Sequence, residues 1–175
     1  MEINFEKGVL REWRNEDIPA LLKYANNPKI FNNVRDRFPH PYTLDDAEVW
    51  IKLANLADPL ENFAIVVDGE AIGSIGIMKM TDVYRLNLEI GYFIGEPYWG
   101  KGIVTQAVKA MVDYAFETFE VVRIFAGVFE HNKASMRVLE KVGFQLEAIH
   151  RKAVIKNGKL MDEYLYVYHK KSLAE

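Results

Sequence analysis

The chain has 175 residues, half of them hydrophobic, enough for one domain with a substantial buried core. A formal net charge of −3 excludes a protein built mainly to grip nucleic-acid phosphates, so no direct nucleic-acid binding is expected. The absence of cysteine excludes disulfides, a catalytic thiol and a thiolate metal site.

Residues 1–7 contain no apolar signal core, and no later apolar run reaches membrane-spanning length. The expectation is a cytoplasmic protein without membrane contact. Val9-Leu10-Arg11-Glu12-Trp13 reads as a strand. Asp17 is placed to cap a helix through Ile18-Pro19-Ala20-Leu21-Leu22, which Asn26-Asn27-Pro28 breaks. After a loop at Phe38-Pro39-His40-Pro41, Thr43 with Asp45 and Asp46 starts a second helix. Ala47, Trp50, Ile51, Ala54 and Ala57 share one of its faces.

Phe63 to Val67 reads as a buried strand, and Asp68-Gly69 as the hairpin turn into a return strand from Glu70 to Met78. Gly73 and Gly76 inside that strand signal a bulge or close backbone packing. Leu88 to Ile94 is another strand. From Ile103 the period changes: Val104, Ala107, Val108, Met111, Val112, Ala115, Phe116 and Phe119 make a long helical stripe. Val122 to Phe129 returns to strand. Asn132 caps a helix that Gly143 stops, and a last hairpin from Phe144 turns at Asn157-Gly158. The order predicts an α/β (α+β) fold with a mixed, mainly antiparallel sheet of about seven strands and about four helices.

Between a strand and the long helix lies Gly95-Glu96-Pro97-Tyr98-Trp99-Gly100-Lys101-Gly102-Ile103. Glycines let backbone N–H groups converge, and a helix start adds free donors and a positive dipole end, which together suit a phosphate or pyrophosphate. A plain tight turn into a helix reads equally well from the loop alone. The string satisfies Gly-x-x-x-x-Gly-Lys, but Gly102 follows where a nucleotide P-loop needs Ser or Thr for Mg²⁺. The dinucleotide pattern Gly-x-Gly-x-x-Gly fails at Thr105. Thirty residues on, Asn132 and Ser135 sit at a helix start, where a cap and an ordinary first-turn serine are also the commonplace reading. His40, His131, His150 and His169 show neither zinc nor triad spacing, so no metal is expected.

The segment from Ile90 to Thr105, together with Asn132-Lys133-Ala134-Ser135 and Lys141-Val142-Gly143-Phe144, resembles the two cofactor motifs of the GNAT superfamily of N-acetyltransferases. The wording is nearest the RimJ/RimL type, the ribosomal-protein N-terminal acetyltransferases. Leu10-Arg11…Asp17 and the hairpin from Asp68 to Gly76 resemble that branch too, so the likeness spans nearly the whole chain and implies a single GNAT acetyltransferase domain over 1–175. One departure stands out: Pro97 occupies the first position of the superfamily's Gln/Arg-x-x-Gly-x-Gly.

The resemblance implies a sheet whose two central parallel strands, Leu88 to Ile94 and Val122 to Phe129, splay into a V that takes acetyl-CoA as co-substrate. Backbone groups of Tyr92, Phe93 and Ile94 would pair with the pantetheine arm. Amides of Trp99, Gly100, Lys101, Gly102 and Ile103 would hold the pyrophosphate, Thr105 would add a hydroxyl or equally be an ordinary helix residue, and Asn132 would bind the pantetheine chain. Lys101 and Lys133 would attract phosphates, with a plain solvated lysine as the commoner alternative. The implied activity is direct acetyl transfer to a primary amine, on a protein N-terminus or a small molecule. The resemblance assigns Ser135 to the leaving thiolate. Glu89 is the candidate base, with a half-exposed strand carboxylate as its plain alternative. Acceptor selection falls to the first two helices, the Arg35–Pro41 loop and the last hairpin, with Arg35, Arg37, Trp50, Asp45 and Asp46 available. A second functional class is a non-catalytic module that only binds acyl-CoA. The protein would act as a monomer or homodimer.

Overall fold

The computed structural model describes residues 1–170; of the domain expected over 1–175, the last five lie outside the described residues. An eight-stranded sheet runs in the order β1 (Glu2–Phe5), β2 (Gly8–Arg11), β3 (Asn62–Val67), β4 (Glu70–Lys79), β5 (Asn87–Ile94), β6 (Arg123–Phe129), β8 (Lys159–His169), β7 (Gln145–Lys156). The strand missed in the sequence is β1 (Glu2–Phe5), which pairs antiparallel with β2 (Gly8–Arg11). Its four residues alternate exposed and half-buried, too short a pattern to read as a strand without its partner. Trp13, expected to end that strand, lies beyond it in the core.

Asp17 stands at the start of α1 (Ile18–Ala25), but its side chain does not cap it. Its carboxylate accepts two hydrogen bonds from Arg11, at 2.7 and 2.8 Å, and a third from the Arg14 amide. Both charges are buried, and the tie to Asp17 raises the Arg11 pKa above its usual value. The expected break at Asn26-Asn27-Pro28 is the start of a short α2 (Pro28–Phe31), with the Asn27 side chain accepting from the Lys29 amide. The expected second helix is α3 (Leu44–Ala54). Thr43 and Asp46 form a reciprocal capping box at its start, and Ala57 falls beyond its end.

Strands β3 (Asn62–Val67) and β4 (Glu70–Lys79) form a hairpin with a bulge at Ile65/Val66, and the inner glycines mark close packing as expected. A Cβ at Gly73 would lie 2.3 Å from the Phe93 carbonyl oxygen. Then follow β5 (Asn87–Ile94), α4 (Ile103–Thr118), β6 (Arg123–Phe129), α5 (Lys133–Val142), β7 (Gln145–Lys156) and β8 (Lys159–His169). The helical stripe read from the sequence is the buried face of α4, with Ala107, Val108, Met111 and Ala115 fully enclosed.

The sheet separates two apolar clusters. One joins α4 and α5 to Leu88, Ile90, Ile124, Ala126 and Val128; the other joins α1 and α3 to Trp13, Ala64 and Val66. Among the described residues no helix is long and apolar enough to cross a membrane.

Candidate active site

The parallel pair β5–β6 holds for three residues only: Asn87 opposite Arg123, Leu88 opposite Ile124, and Glu89 opposite Phe125. Beyond that point β5 stays on β4 as far as Ile94, and β6 stays on β8 as far as Phe129. The two strands therefore part at Glu89 and leave a wedge in the middle of the sheet.

Backbone bonds fix which groups face the wedge. Gly95 donates to the Ile72 carbonyl and Met80 to the Asn87 carbonyl, so the odd-numbered residues of β5 bond to β4. The N–H and C=O of Ile90, Tyr92 and Ile94 turn the other way, toward the opening. The Ile94 carbonyl already accepts from the Trp99 indole at 2.8 Å. Phe93 turns its backbone to β4, and its ring packs edge-on against Phe38, 5.2 Å away.

Side chains alternate between the two faces of the sheet. Tyr92 points to the α5 side, where its hydroxyl shares a 2.7 Å hydrogen bond with Ser135 Oγ. Burial pushes the Tyr92 phenol up to about 12. Ser135 is in the first turn of α5, and its amide donates to the side-chain carbonyl of the cap residue Asn132. That capping bond uses the Asn132 oxygen and leaves its NH₂ group for other contacts. Glu89 lies on the opposite face, paired with Arg35 from the segment between α2 and α3. The fork thus has a hydroxyl pair on one face and a carboxylate on the other.

The glycine-rich loop follows β5. Glu96–Tyr98 forms a 3₁₀ turn in which the Trp99 amide donates to the Glu96 carbonyl, so this amide is already engaged. Gly100 and Gly102 have φ of 72° and 76°, a left-handed backbone that glycine adopts without strain. A Cβ at Gly100 would meet nothing within 4 Å, and one at Gly102 only the Lys7 ammonium at 3.7 Å. No side chain caps α4, so its first-turn donors stay available, with Thr105 among those residues. Lys7, on the β1–β2 turn, donates to the Lys101 carbonyl at 2.7 Å. The Lys101 and Lys133 ammoniums lie over the rings of Tyr98 and Tyr164.

The loop is anchored to the first helices. Glu96 accepts from Asn27 at 2.9 Å and pairs with Lys29, which draws its carboxyl below the usual range. Opposite, the β7–β8 hairpin is tied to the same segment by the Lys156–Asp36 pair at 2.6 Å and by Asn157 donating to Asn32.

The sequence reading missed the Tyr92 hydroxyl, taking that residue for its backbone alone. The parity that sets Tyr92 with Ile90 and Ile94 was legible; its neighbour on α5, more than forty positions on, was not.

Residues 8–145 match the acetyltransferase (GNAT) domain family. The uncharacterized N-acetyltransferase p20 of Bacillus licheniformis is 31% identical over 97% of this chain and 96% of its own length. The chain belongs to the GNAT acetyltransferase family.

This GNAT enzyme is also 27% identical to the spermidine N(1)-acetyltransferase of Escherichia coli K12, over 89% of this chain and 76% of that protein. Among solved structures, RimL, a ribosomal L7/L12 α-N-protein acetyltransferase in complex with coenzyme A, shares the fold with a TM-score of 0.85. The match covers 97% of this chain and 98% of that one at 19% identity. Its relatives being named N-acetyltransferases, the protein is an acetyltransferase rather than a passive module. The sheet holds eight strands and the described residues form five α-helices, against about seven and about four expected. The additions are β1 and α2.

Proposed function

We propose that this GNAT enzyme moves an acetyl group from acetyl-CoA directly onto a primary amine. The observation that carries the reading is the fork at Glu89, with Tyr92 and Ser135 on one face and Glu89 on the other. The residues present suit the co-substrate. The amides of Gly100 to Ile103, bare of side-chain caps and unobstructed, would hold the pyrophosphate. The inward carbonyl of Tyr92 and the N–H of Ile94 would pair with pantetheine as an added strand does, and Asn132 would offer its NH₂.

Bound acetyl-CoA supplies an activated thioester. Tyr92 N–H, turned into the wedge, stabilises the carbonyl oxygen as charge develops on it. An aliphatic ammonium has a pKa of about 10, so it must lose a proton before attack. Glu89 takes that proton, with Arg35 the cation that the incoming ammonium replaces beside it. On the far face Ser135 donates to the departing sulfur. A thiol of pKa about 8.5 needs only modest help. Tyr92, protonated throughout the physiological range, backs the Ser135 hydroxyl.

The acceptor is a small amine or a protein N-terminus, in keeping with relatives named for spermidine and for a ribosomal protein. The test is a panel of amines and N-terminal peptides with acetyl-CoA, read by thiol release and by an acetyl mass gain on the acceptor. Glu89→Gln should cut kcat/KM by roughly 100-fold or more while acetyl-CoA affinity holds. An undiminished rate would remove Glu89 from the mechanism.

A further inference from the structure

The strand register places a second carboxylate on the Glu89 face. Glu89 is opposite Phe125, Gly127 is opposite Leu165, and Phe129 is opposite Glu163. Directly paired residues share a face, so Glu89, Phe125, Gly127, Phe129 and Glu163 all project to the acceptor side. Ala126 and Val128 alternate away into the α5 core.

Glu163 does not stand straight out beside Phe129. A Cβ on Gly127 would come 2.4 Å from its Oε1 and 2.8 Å from its Cδ, so the carboxylate lies across that bare backbone. Gly127 is two residues beyond Phe125, which puts the carboxylate about 7 Å along the wedge from the level of Glu89. The Glu163 side chain is only 20% exposed.

Its charge differs in setting from its neighbours. A cavity of about 200 Å³ is lined by Arg35, Asp36, Phe129, Lys156 and Glu163, among others. Arg35 pairs with Glu89, and Lys156 is held by Asp36 over the Phe31 ring. Glu163 instead meets His150 Nδ1 at 3.1 Å, a partner that is cationic only when protonated. A neutral imidazole can hold the carboxylate in place by a hydrogen bond while leaving its negative charge uncompensated.

We propose that Glu163, laid over Gly127 in the mouth of the wedge, is an acceptor-specificity residue that receives a second cationic group of the substrate. The favoured acceptor is then a slender diamine with its two nitrogens on the order of 7 Å apart, one reacting at the fork and the other bound at Glu163. This rests on the amine-acetylation reading above and narrows its substrate class.

The experiment compares cadaverine, a five-carbon diamine, with n-pentylamine, which lacks only the second nitrogen. Thiol release gives kcat and KM, and calorimetry on the CoA-saturated protein gives affinity apart from turnover. Wild type should prefer cadaverine by about tenfold or more, the effect of one charge-assisted contact. Glu163→Gln should erase that preference through acceptor KM rather than kcat. Gly127→Ala, whose methyl group displaces the carboxylate, should do the same, with thermal unfolding confirming that both variants fold. Equal handling of the two amines by wild type, or a preference that survives Glu163→Gln, overturns the assignment. Glu163-dependent binding of cadaverine without acetylation would uphold this site while overturning the amine-transfer reading. Equal acetylation of both amines would do the reverse.

Discussion

The phenolic hydroxyl of Tyr92 lies 2.7 Å from Ser135 Oγ and so joins the last free stretch of β5 to the first turn of α5. The bond lies on the α5 face of the fork, the side to which the proposed function assigns the departing thiolate. Tyr92→Phe and Ser135→Ala should each lower kcat by roughly tenfold or more and leave acetyl-CoA affinity nearly intact. Because the two hydroxyls act in series, the double variant should lose little more than either single one. Steady-state kinetics on the four-member cycle measures this, and fully additive losses would mean separate roles.

The left-handed glycines of the loop make a second prediction. Gly102→Ala forces a side chain onto a φ of 76°, at a cost of about 1 kcal/mol in stability. Acetyl-CoA affinity should fall by about tenfold as the amides lose their alignment. Titration calorimetry reads the affinity, and an unchanged Kd would separate this loop from the pyrophosphate.

Removing one partner of the buried Arg11–Asp17 pair leaves an uncompensated charge. Asp17→Ala should destabilise the fold by about 3–5 kcal/mol in denaturant unfolding, far more than removal of the exposed Asp113 from its pair with Lys109. A loss below 1 kcal/mol would show that water reaches Arg11.

Acid should loosen the contact between α1 and the glycine-rich loop. Glu70 accepts from Lys23, Tyr24 and Tyr98, and the Lys23 bond in particular draws its carboxyl below the ordinary 4.5. A depressed carboxylate lends stability that is present above 4.5 and lost as the pH falls through the lower folded value. Melting temperatures measured downward from neutral pH should therefore drop below about pH 4.5, and Glu70→Gln should flatten that drop. An acid limb of the same steepness in the variant would assign the loss to other carboxylates.

How much was legible beforehand depends on the reach of each interaction. Thr43, Asn132 and Gly143 act on backbone within three or four residues, so their capping roles could be read directly and are present. Asp68-Gly69 and Asn157-Gly158 carry positive φ as hairpin turns, again a local matter. Asp17 went astray because its partner is Arg11 rather than the helix start beside it. The short β1 was invisible because its alternation makes sense only once β2 and α4 lie against it.

The order of strands and helices, the glycine loop and the family likeness were thus properties of the amino-acid sequence, since each depends on spacing or on backbone conformations a few residues allow. Tertiary structure decided where β5 leaves β6, which face each side chain took from that point, and that Tyr92 would meet Ser135 while Glu163 would lie over Gly127. Those outcomes depend on contacts between residues 36 or more positions apart in sequence, set by sheet register and packing against α5. Nothing in the local run of residues encodes a distance across a gap.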